Sequence, residues 1–140
     1  MLYKGGCYCG RVKYTINASP DDLRTSLCHC LNCKKFFGTP FGLTTKVPLP
    51  AFAYTQDSIK PTIHEADNGS GVQLHREFCG TCGSGILEVG QGAMDKFRYF
   101  MTGTLDDMSV LPPKGEFWCR RREKWMPEIK DIFHKQEVQE

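Results

Sequence analysis

Cysteine spacing constrains this chain more than any other feature. Of eight cysteines in 140 residues, seven fall into three tight groups: Cys7 and Cys9, then Cys28, Cys30 and Cys33, then Cys79 and Cys82. A disulfide across one intervening residue closes a small, strained ring. A disulfide scaffold also belongs to an oxidising compartment, and residues 1–6 hold no charged-then-apolar leader. The spacing therefore points to metal ligation in a reducing compartment, with the cytoplasm as the expected location.

In Cys28-His29-Cys30-Leu31-Asn32-Cys33 three thiols can converge on one point. Three protein ligands on zinc leave a fourth position for a reactant, the mark of a reactive site. Three thiolates give the metal a net negative shell, which acidifies a bound water less than neutral imidazoles do. Such a centre suits an incoming thiol held as a nucleophilic thiolate. The expected chemistry is the making or breaking of a carbon–sulfur bond, with Cys28, Cys30 and Cys33 as the catalytic ligands. Cys7-Tyr8-Cys9 and Cys79-Gly80-Thr81-Cys82 supply four more sulfurs beside glycines, enough for a closed tetrahedral zinc that contributes to folding. Spacing leaves a second pairing open, in which Cys79 and Cys82 complete a site with two of Cys28, Cys30 and Cys33. With the first pairing the expectation is two zinc ions per chain, one structural and one catalytic.

A thiol substrate carrying carboxylates needs a cationic receptor. Lys34 and Lys35 follow Cys33 directly and are the candidates, against the plain reading of two solvated helix lysines. Asn32 can donate to a sulfur or a substrate carbonyl, or serve as a turn residue. His29 lies between two ligands and alternates away from the metal towards a surface or packing role, with ligation or a hydrogen bond to the site as the other options. His64, His75 and His134 have no assignable partner. Cys119 reads as a small buried hydrophobe. Trp118, Trp125 and Phe41 read as core. Phe36 and Phe37, next to the open site, are candidates for a substrate wall. Arg120-Arg121-Arg122-Glu123-Lys124 reads as a solvated edge. With a net charge of +2, one short basic run does not make nucleic acid a partner.

Alternation of Val12, Tyr14 and Ile16 with polar residues marks the second strand of a hairpin over residues 2–16. Ser19 before Pro20 caps a short helical turn. A short helix runs from the cysteine stretch through Phe36 and stops at Gly38. Strands are expected over 40–47, 59–64, 72–78, 86–89, 97–101 and 116–120, with 65–71 as a turn and 79–83 as a knuckle. Phe52 and Tyr54 begin a short helix or irregular link, 108–113 is a link, and the chain beyond Pro127 is a mobile tail or short helix. No apolar run approaches the roughly 18 residues that span a bilayer, and no repeat is present. The fold class is therefore mainly β, of short antiparallel strands with short helical links, with residues 1–127 as one zinc-binding catalytic domain and 128–140 as a polar tail.

Three segments, in this order, resemble one known family. They are Gly5-Gly6-Cys7-Tyr8-Cys9-Gly10-Arg11-Val12-Lys13-Tyr14, Cys28-His29-Cys30-Leu31-Asn32-Cys33-Lys34-Lys35 and Phe78-Cys79-Gly80-Thr81-Cys82-Gly83-Ser84. The family is that of the glutathione-dependent formaldehyde-activating enzymes, which also contains centromere protein V. The resemblance implies a zinc-stapled β-tent, a structural zinc on Cys7, Cys9, Cys79 and Cys82, and a catalytic zinc on Cys28, Cys30 and Cys33. It further implies a carbon–sulfur lyase that condenses formaldehyde with glutathione to S-hydroxymethylglutathione. Lys13 and Lys34 stand where many members carry arginine, and residues 48–71 show no match to a glutathione pocket. Two other functions are weighed beside this one: a non-catalytic zinc module that binds a protein or nucleic-acid partner, and an enzyme acting on a larger thiol adduct. No membrane partner is expected, and the sequence sets no oligomeric state.

Overall fold

The structure is a computed structural model that describes residues 1–69 and 71–138. Ser70 of the expected turn and residues 139–140 of the expected tail lie outside the described residues. The elements are β1 (Leu2–Gly6), β2 (Lys13–Asn17), β3 (Arg24–Cys28), α1 (Leu31–Phe37), β4 (Gly42–Pro48), β5 (Phe52–Tyr54), β6 (Thr62–Asp67), β7 (Gln73–Phe78), β8 (Gly85–Gly90), β9 (Phe97–Met101), β10 (Gly115–Phe117) and β11 (Phe133–His134). They form a three-stranded sheet, β1-β2-β5, and an eight-stranded sheet in the order β11-β10-β3-β4-β9-β8-β7-β6. The mainly β expectation holds. Most pairings are antiparallel, but β10 runs parallel to both of its neighbours, β3 and β11.

Alternation sorts each strand of the large sheet into two faces. One face buries Val47, Leu87 and Phe100 against Tyr14 and Ile16 of β2. Tyr14 stacks on Phe52 at 4.8 Å and meets Phe100 at 5.8 Å. Each large apolar side chain buried in this way contributes about 1.5–3 kcal/mol. Thr25 and Thr45 are also buried here, and their hydroxyls satisfy one another and Thr102 at 2.6 and 3.0 Å. The other face carries Arg24, Ser26 and Cys28 of β3, Lys46 of β4 and Tyr99 of β9, in the register of β3–β4 and β4–β9. Helix α1 lies over this second face: the Phe36 ring sits under the Arg76 guanidinium at 4.1 Å.

Several element boundaries differ from expectation. Arg24–Cys28, where no strand was expected, is a central strand. Its apolar signal is weak because Thr25 is buried through its hydroxyl rather than by hydrophobicity. Phe52–Tyr54 is a strand, not a helix or link, because it completes the small sheet against β2. The turn after β6 starts at Asp67, not Glu65, since the Asp67 carboxylate accepts the N–H groups of Gly69 and Gly71. The strand expected over 116–120 ends at Phe117, because Trp118 adopts a left-handed conformation (φ 56°) and turns the chain into a 3-10 turn at Cys119–Arg121. Residues 133–134, expected in a tail or helix, form β11 on the edge of the large sheet, with Phe133 edge-on to Phe117 at 5.4 Å. Trp125, expected in the core, is 71% exposed, in the loop after that 3-10 turn.

Candidate metal centres

The sulfurs of Cys7, Cys9, Cys79 and Cys82 all lie within 4.8 Å of one another. This selects one of the two pairings that spacing left open. Cys7 and Cys9 stand in the β1–β2 turn, and Cys79 and Cys82 in the β7–β8 turn. Cys7 Sγ lies 3.5 Å from Cys9 Sγ, and Cys9 Sγ 3.7 Å from Cys79 Sγ. Tetrahedral zinc with metal–sulfur bonds of about 2.3 Å would set sulfurs about 3.8 Å apart, so the four sulfurs fit that ion. Backbone N–H groups aim inward as a thiolate cage requires: Val12 N–H donates to Cys7 Sγ at 3.2 Å and Cys82 N–H to Cys79 Sγ at 3.5 Å. Ser84 ties the two turns together. Its Oγ accepts the Tyr8 N–H and lies 3.2 Å from Cys82 Sγ. The Ser84 hydroxyl, together with backbone N–H groups, holds the Cys82 thiol down at about 5.

The sulfurs of Cys28, Cys30 and Cys33 also lie within 4.8 Å of one another. Cys28 ends β3, Cys30 is the N-cap of α1, and Cys33 sits buried in its first turn. The Cys30 sulfur accepts the Cys33 N–H at 3.2 Å, in the manner of a serine N-cap. Gly38, at φ 66°, ends the helix as expected. Gly42 permits the close docking of α1: a Cβ there would fall 2.7 Å from the Phe37 ring and 3.1 Å from Cys33 Cβ. Gly42 is the register partner of Cys28, so this contact sets both ends of the cluster against the sheet. Hydrogen bonds from Cys28 and then Cys33 draw the Cys30 thiol far below its usual range. The same contact with Cys30 pushes Cys28 up to about 12. Three sulfurs this close accommodate one negative charge readily and three only around a cation, which is the donor chemistry of a thiolate metal site. Among the described residues no fourth ligand-type side chain joins this group.

His29 points away from the cluster, as alternation predicts, and is buried rather than at the surface. Its Nε2–H donates to Glu116 Oε1 at 2.7 Å. Glu116 is fully buried and also accepts from Arg122 Nη2 at 3.0 Å, with His134 Nε2 2.9 Å away. His134 and Arg122 therefore belong to a buried charged network that anchors the cysteine loop to the C-terminal strand. Arg120 pairs with Glu137, so the basic run is partly neutralised. Cys119 is buried as expected.

The remaining expected residues are dispersed. The Lys34 ammonium lies 2.6 Å from Glu123 Oε1 and donates to Arg121 O at 2.7 Å. Lys35 is exposed. Asn32 sits in the first turn of α1, and its backbone N–H contributes to the Cys30 sulfur. Phe36 and Phe37 meet edge-to-face at 5.6 Å and seat the helix. His75 lies between Glu65 and Glu77 at 2.8 and 2.6 Å, and His64 is exposed on edge strand β6. A feature that sequence reasoning missed is a cleft of about 330 Å³ beside Cys28, lined by Arg24, Ser26 and Cys28 of β3, Lys46 of β4, Tyr99 of β9 and Phe117 of β10. The period-two spacing of Arg24, Ser26 and Cys28 was the available signal, and it needed the strand to be recognised first.

A family model described as glutathione-dependent formaldehyde-activating enzyme matches residues 2–121. The chain is similar in fold to the crystal structure of a Rhodobacter sphaeroides protein, with a TM-score of 0.54 and 18% identity over 74% of this chain and 87% of that one. A search of curated proteins returns no match. Among the described residues no helix is long and apolar enough to cross a membrane.

Proposed function

The chain belongs to the glutathione-dependent formaldehyde-activating enzyme family, and from that membership we propose that it is a zinc-dependent carbon–sulfur lyase acting on a thiol–aldehyde adduct. Glutathione is the thiol and formaldehyde the aldehyde of this reading, and the cytoplasm its compartment. The observation that supports it most is the convergence of three cysteine sulfurs with no fourth ligand among the described residues, beside a cleft that Cys28 lines. Zinc held by Cys28, Cys30 and Cys33 would supply the Lewis acidity that keeps an incoming thiol deprotonated at neutral pH. The chain's own residues do the positioning. Backbone N–H groups of Asn32 and Cys33 stabilise charge on the Cys30 sulfur. Gly42 lets α1 close on β4, and the His29–Glu116 bond pins the loop from behind.

In the condensing direction the thiol sulfur bonds to the carbonyl carbon, the C=O π bond opens, and the thiol proton ends on the oxygen. The lyase direction reverses each change. Of the helix residues expected to meet a carboxylate-bearing thiol, Lys35 is exposed on α1 with Asn32 three residues before it, while Lys34 is engaged with Glu123. Cys7, Cys9, Cys79 and Cys82 hold the structural zinc of this reading. A nucleic-acid-binding module draws no support from the basic run, since Arg120 and Arg122 face Glu137 and Glu116. The test is exchange between glutathione, formaldehyde and adduct, followed by NMR on zinc-loaded protein. Acceleration lost in Cys30→Ser is expected. No acceleration with both clusters loaded would overturn the enzyme reading.

A further inference from the structure

Two cations on the open face have no carboxylate partner among the described residues: Arg24 of β3 and Lys46 of β4. They are direct register partners. Like charges directly opposite on neighbouring strands destabilise a sheet, so this arrangement costs stability unless an anion sits between them. Lys46 is half-buried and held over the Phe97 ring at 3.8 Å, which fixes where its ammonium stands. Both line the cleft that Cys28 enters. Arg24 precedes Cys28 by four residues on the same strand face, about 13 Å at strand rise. An extended tripeptide spans about 10 Å, and the cleft volume of about 330 Å³ is at the small end of ligand pockets. Tyr99, the register partner of Lys46, closes the third side, and the carboxylate beyond it, Glu88, is taken up by Arg76 at 3.0 Å.

We infer that this cleft is the anion subsite of the open cysteine centre, and that Arg24 and Lys46 bind the carboxylates of a small peptide thiol whose sulfur reaches Cys28, Cys30 and Cys33. The inference rests on the proposed function and deepens it. The sequence pointed to the lysines that follow Cys33; the fold supplies a different pair, one of them an arginine whose planar fork matches a carboxylate.

The test is calorimetric titration of zinc-loaded, full-length protein with glutathione, its diethyl ester, 2-mercaptoethanol and coenzyme A. Arg24→Gln and Lys46→Met are each expected to weaken glutathione about 10-fold or more, the scale of one lost charged hydrogen bond. The diester and 2-mercaptoethanol should bind the variants as they bind the wild type, zinc content should stay unchanged, and Lys46→Arg should retain affinity. Variants that bind glutathione normally, or that weaken every thiol alike, would overturn the subsite while leaving the lyase reading intact. So would a loss confined to Lys35→Met, or a preference for the phosphate-bearing coenzyme A. If no thiol binds the loaded wild-type protein, the lyase reading fails and the subsite fails with it.

Discussion

The two cysteine clusters use the same ligand type and solve opposite problems. The four-sulfur cluster joins two hairpin turns, with Cys9 and Cys79 seventy residues apart in the chain. It exists only after both sheets have formed, so a metal bound there would feed directly into folding. The three-sulfur cluster is assembled from the end of one strand and the first turn of the next helix. Its ligands are neighbours in the unfolded chain, and its metal adds little long-range constraint. On the proposed function, a metal in the long-range closed site would stabilise the fold, and one in the local open site would be free to exchange ligands.

Breaking the closed cluster is expected to have the largest effect. Cys79→Ser should abolish cooperative thermal unfolding, because structural zinc sites contribute about 10–16 kcal/mol against a total domain stability of about 5–15 kcal/mol. A folded Cys79→Ser protein with wild-type Tm would erase the distinction drawn between the clusters. Cys30→Ser is the matched change in the open cluster. Serine keeps the helix cap, so circular dichroism and Tm should hold, while metal content falls from two to one per chain and turnover drops by about 100-fold or more. Unfolding of this variant would mean that the roles are assigned the wrong way round.

Chelation sharpens the same contrast without mutation. Mild chelator should remove one equivalent of metal with the far-UV spectrum unchanged, and the second only as the protein unfolds; simultaneous loss of both would contradict the division. The smallest expected effect comes from Gly42→Ala. Its Cβ would press the Phe37 ring, and overpacking of this kind costs about 1–3 kcal/mol. The variant should stay folded and weaken metal binding at the open cluster alone, as a competition titration with a chromophoric chelator would read.

The cysteine groups were legible in the sequence because their geometry is local: two or three residues of loop bring thiols within reach of one another. Strands with apolar alternation were legible for a similar reason, as β2 at Lys13–Asn17 shows. Strand β3 was missed because Thr25 is buried by hydrogen bonding to Thr45, which no apolar pattern reports. With β3 unrecognised, the shared face of Arg24, Ser26 and Cys28 could not be drawn. Strands β5 and β11 were missed because each has only two or three residues and depends on a partner strand for its conformation. The Glu116 network was equally hidden, since His29, Arg122 and His134 are distant in sequence and meet only in the buried interior.

By itself the sequence determined that seven thiols form metal-type clusters, that one group has three members, and that the chain is built mainly of strands. These follow from spacing and period, which are properties of a few consecutive residues. The tertiary structure alone decided that Cys7 and Cys9 join Cys79 and Cys82, that Lys34 faces Glu123, and that Arg24 and Lys46 stand side by side at a cleft. The last depends on strand register and the first two on how turns, helix and loop are brought together; each joins residues far apart along the chain and is set by the packing of the whole sheet.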